Sequence, residues 1–166
     1  MSGLLDLQLA FPEAVEVVTA ASGPPPRTLA TAESCTGGLL GAAITAVPGS
    51  SLVYRGGVIA YSNSVKVAEL GVDPGQLERW GSVSSQVAEA MAAGVLARLR
   101  AVFGIGITGV AGPGSSEAKP AGLIYVAVAG PKRTVSARLT IDHGRDHNRS
   151  GAVIAALRLV LEELVR

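Results

Sequence analysis

From residue 28 onward the hydrophobic period of the chain keeps changing, and this alternation restricts the fold more than any other feature. Residues 28–32 form a short apolar run of strand type, and from Thr36 onward Leu39, Leu40, Ala43, Ile44 and Val47 recur at helical spacing until Pro48-Gly49. Residues 52–61 read as extended. Ser62-Asn63-Ser64 then offers capping chemistry for a short helix over 65–70 that Gly71 closes, and Asn63 as the cap would put Lys66 in its first turn. Ser84 or Ser85 starts a longer helix with Val87, Met91, Val95 and Leu99 on one face. Residues 101–108, 123–129 and 134–141 are β-rich segments between Gly/Pro turns. Val153, Leu157, Val160, Leu161 and Leu164 then mark a C-terminal amphipathic helix. Upstream, a short helix over 14–21 ends at Gly23-Pro24-Pro25-Pro26. Strands joined through helices run parallel, whereas clustered strands pair antiparallel. The expected fold is a three-layer α/β/α sandwich with a mixed, mostly parallel sheet, as one domain over residues 1–166. The chain is 48% hydrophobic and only 4% aromatic, so its core must be closely packed Val, Ile, Leu and Ala, and 21 glycines allow close backbone approach.

Charge and motif content remove several classes of function. A formal net charge of +1 supplies no basic surface for nucleic acid. The apolar runs are broken well before a bilayer could be spanned, so no membrane partner is expected. One cysteine, Cys35, and no basic-then-apolar leader make a reducing cytoplasm the default location. "GIGITG" at 104–109 has dinucleotide-type spacing. It lies in a strand-like segment, however, is followed by Val-Ala-Gly-Pro-Gly instead of a helix, and lacks the distal acid. His143 and His147 stand four apart with Gly144 between them and no third ligand in view. They read as a polar turn, and neither a metal nor a cofactor is expected.

The segment "TAESCTGG" at 31–38 joins strand to helix. Ser34 is placed there as a nucleophile near the helix amides, which could hold an oxyanion or a phosphate, or else Ser34 or Thr36 simply caps the helix. Cys35 is a competing nucleophile without an evident base. Lys66, in the first turn after "AYSN", is either an ordinary solvated lysine or a base whose pKa the helix dipole lowers, with Tyr61 as a possible hydroxyl partner. "GITGVAGPG" sets Thr108 at the lip of a Gly-rich turn. "HGRDHNR" puts Arg145 and Arg149 at a helix start, where cations oppose the dipole. A ligand anion or a protein acid, Asp146 or Glu33, is expected to compensate them.

Taken together, "TAESCTGGLLGAAI", "PGSS", "GGVIAYSNSVKVAELGV", "GSVSSQVAEAM", "GITGVAGPG", "KPAGLIYVAV" and "GRDHNR" resemble, in order and spacing, the CinA C-terminal domain family of nicotinamide mononucleotide deamidases. The similarity runs from about residue 12 to the C-terminus and suggests the stand-alone form, without an upstream molybdopterin-binding-like domain. It departs at "GPGSSEAKP", one residue shorter than usual, and at "HGRD" in place of Gly-Asp-Arg-Asp. The resemblance implies hydrolysis of the nicotinamide carboxamide to nicotinate mononucleotide and ammonia by a Ser-Lys mechanism, with Ser34, Lys66 and Tyr61 catalytic. Substrate contacts are expected at Thr36, Gly37, Thr108, Gly109 and Arg145, with a small nucleotide as ligand and a homo-oligomer, preferably a dimer, as the assembly. A nucleotide-binding regulatory module linked to competence or DNA damage, and an amidase for another carboxamide, are the alternatives.

Overall fold

The computed structural model describes residues 6–166. Two helices, α1 (Leu7–Ala10) and α2 (Pro12–Ala21), precede β1 (Leu29–Glu33), α3 (Leu39–Thr45) and β2 (Tyr54–Ile59). Then come α4 (Asn63–Leu70), α5 (Pro74–Trp80) and α6 (Ser85–Leu99), followed by β3 (Phe103–Gly109), β4 (Leu123–Ala129), β5 (Thr134–Thr140) and α7 (Arg145–Leu164). The sheet order is β2-β1-β3-β4-β5. β1 pairs parallel with β2 and β3, and β4 pairs antiparallel with β3 and β5, so four strands share one direction and β4 opposes them. Helices α2, α3 and α7 cover one face and α6, flanked by α4 and α5, the other, which makes the α/β/α sandwich read from the sequence.

The two faces of the sheet are built from side chains of different size. Leu29, Ile105, Ile107, Ile124, Val126 and Val128 point toward α2, α3 and α7 and form the larger core. The opposite face carries Ala30, Ala32, Ala127 and Ala129, with Gly104 and Gly106 between them. A Cβ at Gly104 would lie 2.0 Å from the Ala92 carbonyl oxygen, and one at Gly106 would lie 2.3 Å from that of Ala88. Gly104 and Gly106 of "GIGITG" therefore let the backbone of α6 lie directly on β3, a packing device and not a dinucleotide loop.

Local signals account for the helix boundaries. The Ser84 hydroxyl caps α6 through Val87 N, and Gly71 in the left-handed region (φ +66°) ends α4. The cap of α4 is Ser62, one residue earlier than Asn63, its hydroxyl accepting from Val65 N at 3.4 Å. Helix α3 begins at Leu39, three residues after Thr36. α1 and α5 were not anticipated, although Asp73-Pro74 at the start of α5 is a cap followed by a proline at the first helical position.

This topology creates one crevice. The chain leaves β1 toward β2 through α3 on one face, then crosses back over β1 through α6 on the other face to reach β3. The connections from the carboxyl ends of β1 and β3 thus diverge, and ligands of open α/β sheets bind at such a switch point. Ser34 follows the end of β1, and Thr108 and Gly109 end β3.

Candidate functional site

Glu33, the last residue of β1, is only 2% exposed. One carboxylate oxygen accepts from Gly38 N at 3.1 Å and Leu40 N at 3.0 Å, and the other accepts from Gly41 N at 2.9 Å. The start of α3 is therefore closed by an acid five residues upstream of the helix N-cap, Gly38. Neither Ser34 nor Thr36 is the cap, and the amides expected to be free for an oxyanion or phosphate at that helix are occupied. Thr36 is fully buried, and its hydroxyl has no hydrogen-bond partner among the described residues.

Because side chains alternate along a strand, Glu33 faces α3 while Ser34 faces the side of α4. Lys66, the fourth residue of α4, extends back along its helix toward Ser34. Its Nζ stands 3.2 Å from Ser34 Oγ and donates to the carbonyl oxygens of Ala60 at 2.9 Å and Tyr61 at 3.2 Å. At 1% exposure, Lys66 is the largest fully buried side chain among the described residues, and its three partners are all uncharged. Burial holds its pKa below the ordinary lysine value, against smaller upward pulls from Glu117 and Cys35. Desolvation, not a neighbouring cation such as Arg145, is the main cause.

The donor count suits an amine. A neutral Nζ has two hydrogens and a lone pair; the two carbonyls take the hydrogens, and the lone pair is left for the Ser34 O–H. The charged form is also accommodated, with Ser34 Oγ as third acceptor, so a proton can pass between the two groups without rearrangement. Cys35 is unsuited to attack: burial pushes its thiol up to about 11.

Ser34, Lys66, Tyr61, Thr108, Gly109 and Arg145 line one cavity of about 260 Å³, roofed by the Gly-rich turn after β3. Thr36 and Gly37 do not line it. Thr108 Oγ1 donates to Ser82 O at 2.7 Å, fixing another wall residue. Tyr61 meets Lys66 through its backbone carbonyl; the residue is 62% exposed, and its phenol oxygen accepts from Arg145 Nη2 at 3.4 Å. Arg145 Nη1 donates to Gly112 O at 2.6 Å, and Arg149 Nη2 donates to Thr36 O at 2.8 Å. The two arginines thus rest on carbonyl dipoles and not on Asp146 or Glu33, and Arg145 brings a positive charge to the cavity.

Two residues of this region escaped the sequence reading. Asn148, fully buried, donates to Ala111 O and Asp142 Oδ1 and accepts from His143 N, tying the start of α7 to the turn after β3. Glu33 was read only as a possible counter-ion. No group of three metal-ligating side chains occurs among the described residues, and no helix there is long and apolar enough to cross a membrane.

The sequence profile of the CinA C-terminal domain matches residues 14–164. The chain belongs to the CinA C-terminal domain family. This CinA-family chain is 50% identical over 133 residues to a "CinA-like protein" of Frankia casuarinae, covering 80% of its own length and 31% of that protein. It is also 50% identical over 124 residues to a "Putative competence-damage inducible protein" of Halothermothrix orenii, covering 74% and 30% respectively. It therefore spans about a third of the length of these curated relatives. The crystal structure of the competence/damage inducible protein CihA from Agrobacterium tumefaciens superposes with a TM-score of 0.89 at 36% identity, covering all of both chains. A CinA superfamily protein from Escherichia coli superposes with a TM-score of 0.85 at 31% identity, covering 90% of each. The CinA-family fold of this chain is thus shared with experimental structures of similar proteins.

Proposed function

We propose that this domain hydrolyses the carboxamide of nicotinamide mononucleotide, giving nicotinate mononucleotide and ammonia, with Ser34 as nucleophile and Lys66 as base. The observation that carries the reading is a buried lysine, its pKa lowered by desolvation, 3.2 Å from a serine hydroxyl at a sheet switch point. Neutral Lys66 takes the Ser34 proton as Oγ attacks the carboxamide carbon. The same amine returns that proton to the departing nitrogen, which leaves as ammonia. Water, deprotonated by Lys66, then attacks the acyl ester; the carboxylate product leaves and Ser34 regains its hydrogen. Arg145 supplies a cation for an anionic group on the substrate, and Tyr61 orients that guanidinium at the cavity mouth.

The test is ammonia and nicotinate mononucleotide formation by the purified protein, with nicotinamide riboside as the phosphate-free comparison and Ser34→Ala as the control. Turnover of the nucleotide that is lost in Ser34→Ala supports the reading. Calorimetric binding without turnover would replace it with a nucleotide-sensing module. Equal turnover of the riboside would remove the phosphate from recognition and point to another carboxamide substrate.

A further inference from the structure

Glu33 is the only fully buried carboxylate among the described residues, and it immediately precedes Ser34. The segment from Ser34 to Gly38 is held at both ends. At its start, Ser34 N donates to Ile107 O at 3.0 Å, and Ala60 N donates to Glu33 O at 2.8 Å. Ala60 is the residue whose own carbonyl oxygen accepts from Lys66 Nζ. At its far end the Glu33 carboxylate takes the three amides of Gly38, Leu40 and Gly41. Between these anchors the backbone passes through two left-handed glycines, Gly37 at φ +60° and Gly38 at φ +97°, and Gly38 at the helix N-cap makes no side-chain capping bond. The glycines leave the turn alternative paths; Gly37 N to Ser34 O at 3.0 Å, Leu39 N to Thr36 O at 3.2 Å and Arg149 Nη2 to Thr36 O at 2.8 Å brace its middle, and the carboxylate is what ties it to the first amides of α3.

We infer that Glu33 is a positioning residue: by gripping the first amides of α3 it fixes the turn that keeps Ser34 Oγ within reach of Lys66 Nζ. This rests on the reading of Ser34 and Lys66 as a reacting pair. Glu33 touches neither the cavity nor the reacting atoms; it acts on the opposite face of the strand. The role calls for acceptors on both side-chain oxygens, because an amide in its place would present an NH2 group to backbone donors.

The experiment compares Glu33→Gln with wild type and with Val160→Ala, a core change in α7 away from the site. For Glu33→Gln, kcat per folded molecule is expected to fall on the order of 10²-fold, as for a misplaced reacting group, with KM little changed. Val160→Ala should lower the melting temperature and leave kcat per folded molecule intact. A crystal structure of Glu33→Gln should show Ser34 Oγ withdrawn from Lys66 Nζ. Unchanged kcat with the contact preserved would overturn the positioning role. Should Glu33→Gln fail to fold, hydrogen exchange in the wild type decides. The amides of Gly38, Leu40 and Gly41 must be protected like core amides, and rapid exchange would overturn the clasp. If no carboxamide nucleotide is hydrolysed by wild type but the clasp measurements hold, the reaction assignment fails and the positioning of Ser34 stands.

Discussion

Replacing Lys66 by Met and by Arg separates the loss of a base from the loss of a charge. An ordinary lysine, with a pKa of 10.5, would be neutral in roughly one molecule in 3,000 at pH 7, and each unit by which burial lowers that value multiplies the neutral fraction about tenfold. The kcat/KM of the wild type should therefore rise with pH along a limb whose midpoint lies below 10.5. Methionine has no lone pair of use, and the guanidinium of arginine stays protonated; both variants should lose about 10²- to 10⁴-fold in kcat/KM, the usual contribution of a positioned base. Ammonia release from nicotinamide mononucleotide across a pH series is the assay. An arginine variant with a tenth or more of wild-type activity would show that Lys66 acts only as a fixed cation, and the base assignment would be wrong.

Stability supplies a readout that needs no substrate. Lys66 has a folded pKa below its unfolded value, so between the two the unfolded chain binds more protons and stability rises with pH. Its contribution is fully present above pH 10.5 and is lost as pH falls through the folded value. Each pH unit within that window is worth about 1.4 kcal/mol. Lys66→Met has no such slope, but it leaves the Ala60 and Tyr61 carbonyls without their donor, a cost of about 1–3 kcal/mol for each buried group left unpaired. The difference in unfolding free energy between wild type and Lys66→Met should grow as pH rises toward 10.5; a difference independent of pH would mean that the lysine is not desolvated in solution.

With the Cys35 thiol near 11, only roughly one molecule in 10⁴ carries the thiolate at pH 7, so native protein should resist alkylation and Cys35→Ala should keep its activity. Rapid labelling of the folded protein would contradict this. Gly106→Ala places a methyl against backbone atoms of α6, 2.3 Å from Ala88 O and 2.8 Å from Ala92 N, and is expected to cost about 1–3 kcal/mol or more; an unshifted denaturation midpoint would refute the close-packing account. Arg145→Lys keeps the charge but loses the fork that holds Gly112 O and Tyr61 together, and KM for the nucleotide should rise clearly. Wild-type kinetics for that variant at physiological salt would rule out a role for the guanidinium in binding.

The layered architecture was legible because each change of hydrophobic period coincides with a real element, from β1 to α7. The Ser34–Lys66 contact was legible only as two separate helix starts, each with an ordinary structural explanation. What sequence inspection could not supply was the competition for the amides of α3. Ser34 and Thr36 are the residue types that cap helices, and nothing local says that a glutamate at the end of a strand takes their place. Glu33 does so because strand alternation turns it toward α3, a fact of tertiary register. Similarly, Arg145 and Arg149 looked like cations in need of an acid, yet carbonyl oxygens from two distant turns meet them. Helix α5 is a different case. Its Asp73-Pro74 start was present in the sequence, but the segment after it has no buried residue, and so no apolar period to notice.

The small-residue face of the sheet connects these observations. Alanine and glycine at alternate positions of β1, β3 and β4 let α6 approach the strands, and large side chains there would hold it away. That face ends, at the carboxyl edge of β1 and β3, in Ser34 and Thr108, two small hydroxyl residues in place of the apolar side chains that fill the opposite core. The switch point is thus left as a cavity and not as packed core. Lys66 enters it from α4, and its ammonium meets two carbonyl dipoles and a hydroxyl instead of a carboxylate. An acid in that position would have held the proton on the amine. The one buried acid nearby, Glu33, is directed by alternation to the other side of the strand, where its charge is spent on the amides of α3. A single step along the chain, from Glu33 to Ser34, separates the carboxylate that holds the start of α3 from the hydroxyl that meets Lys66.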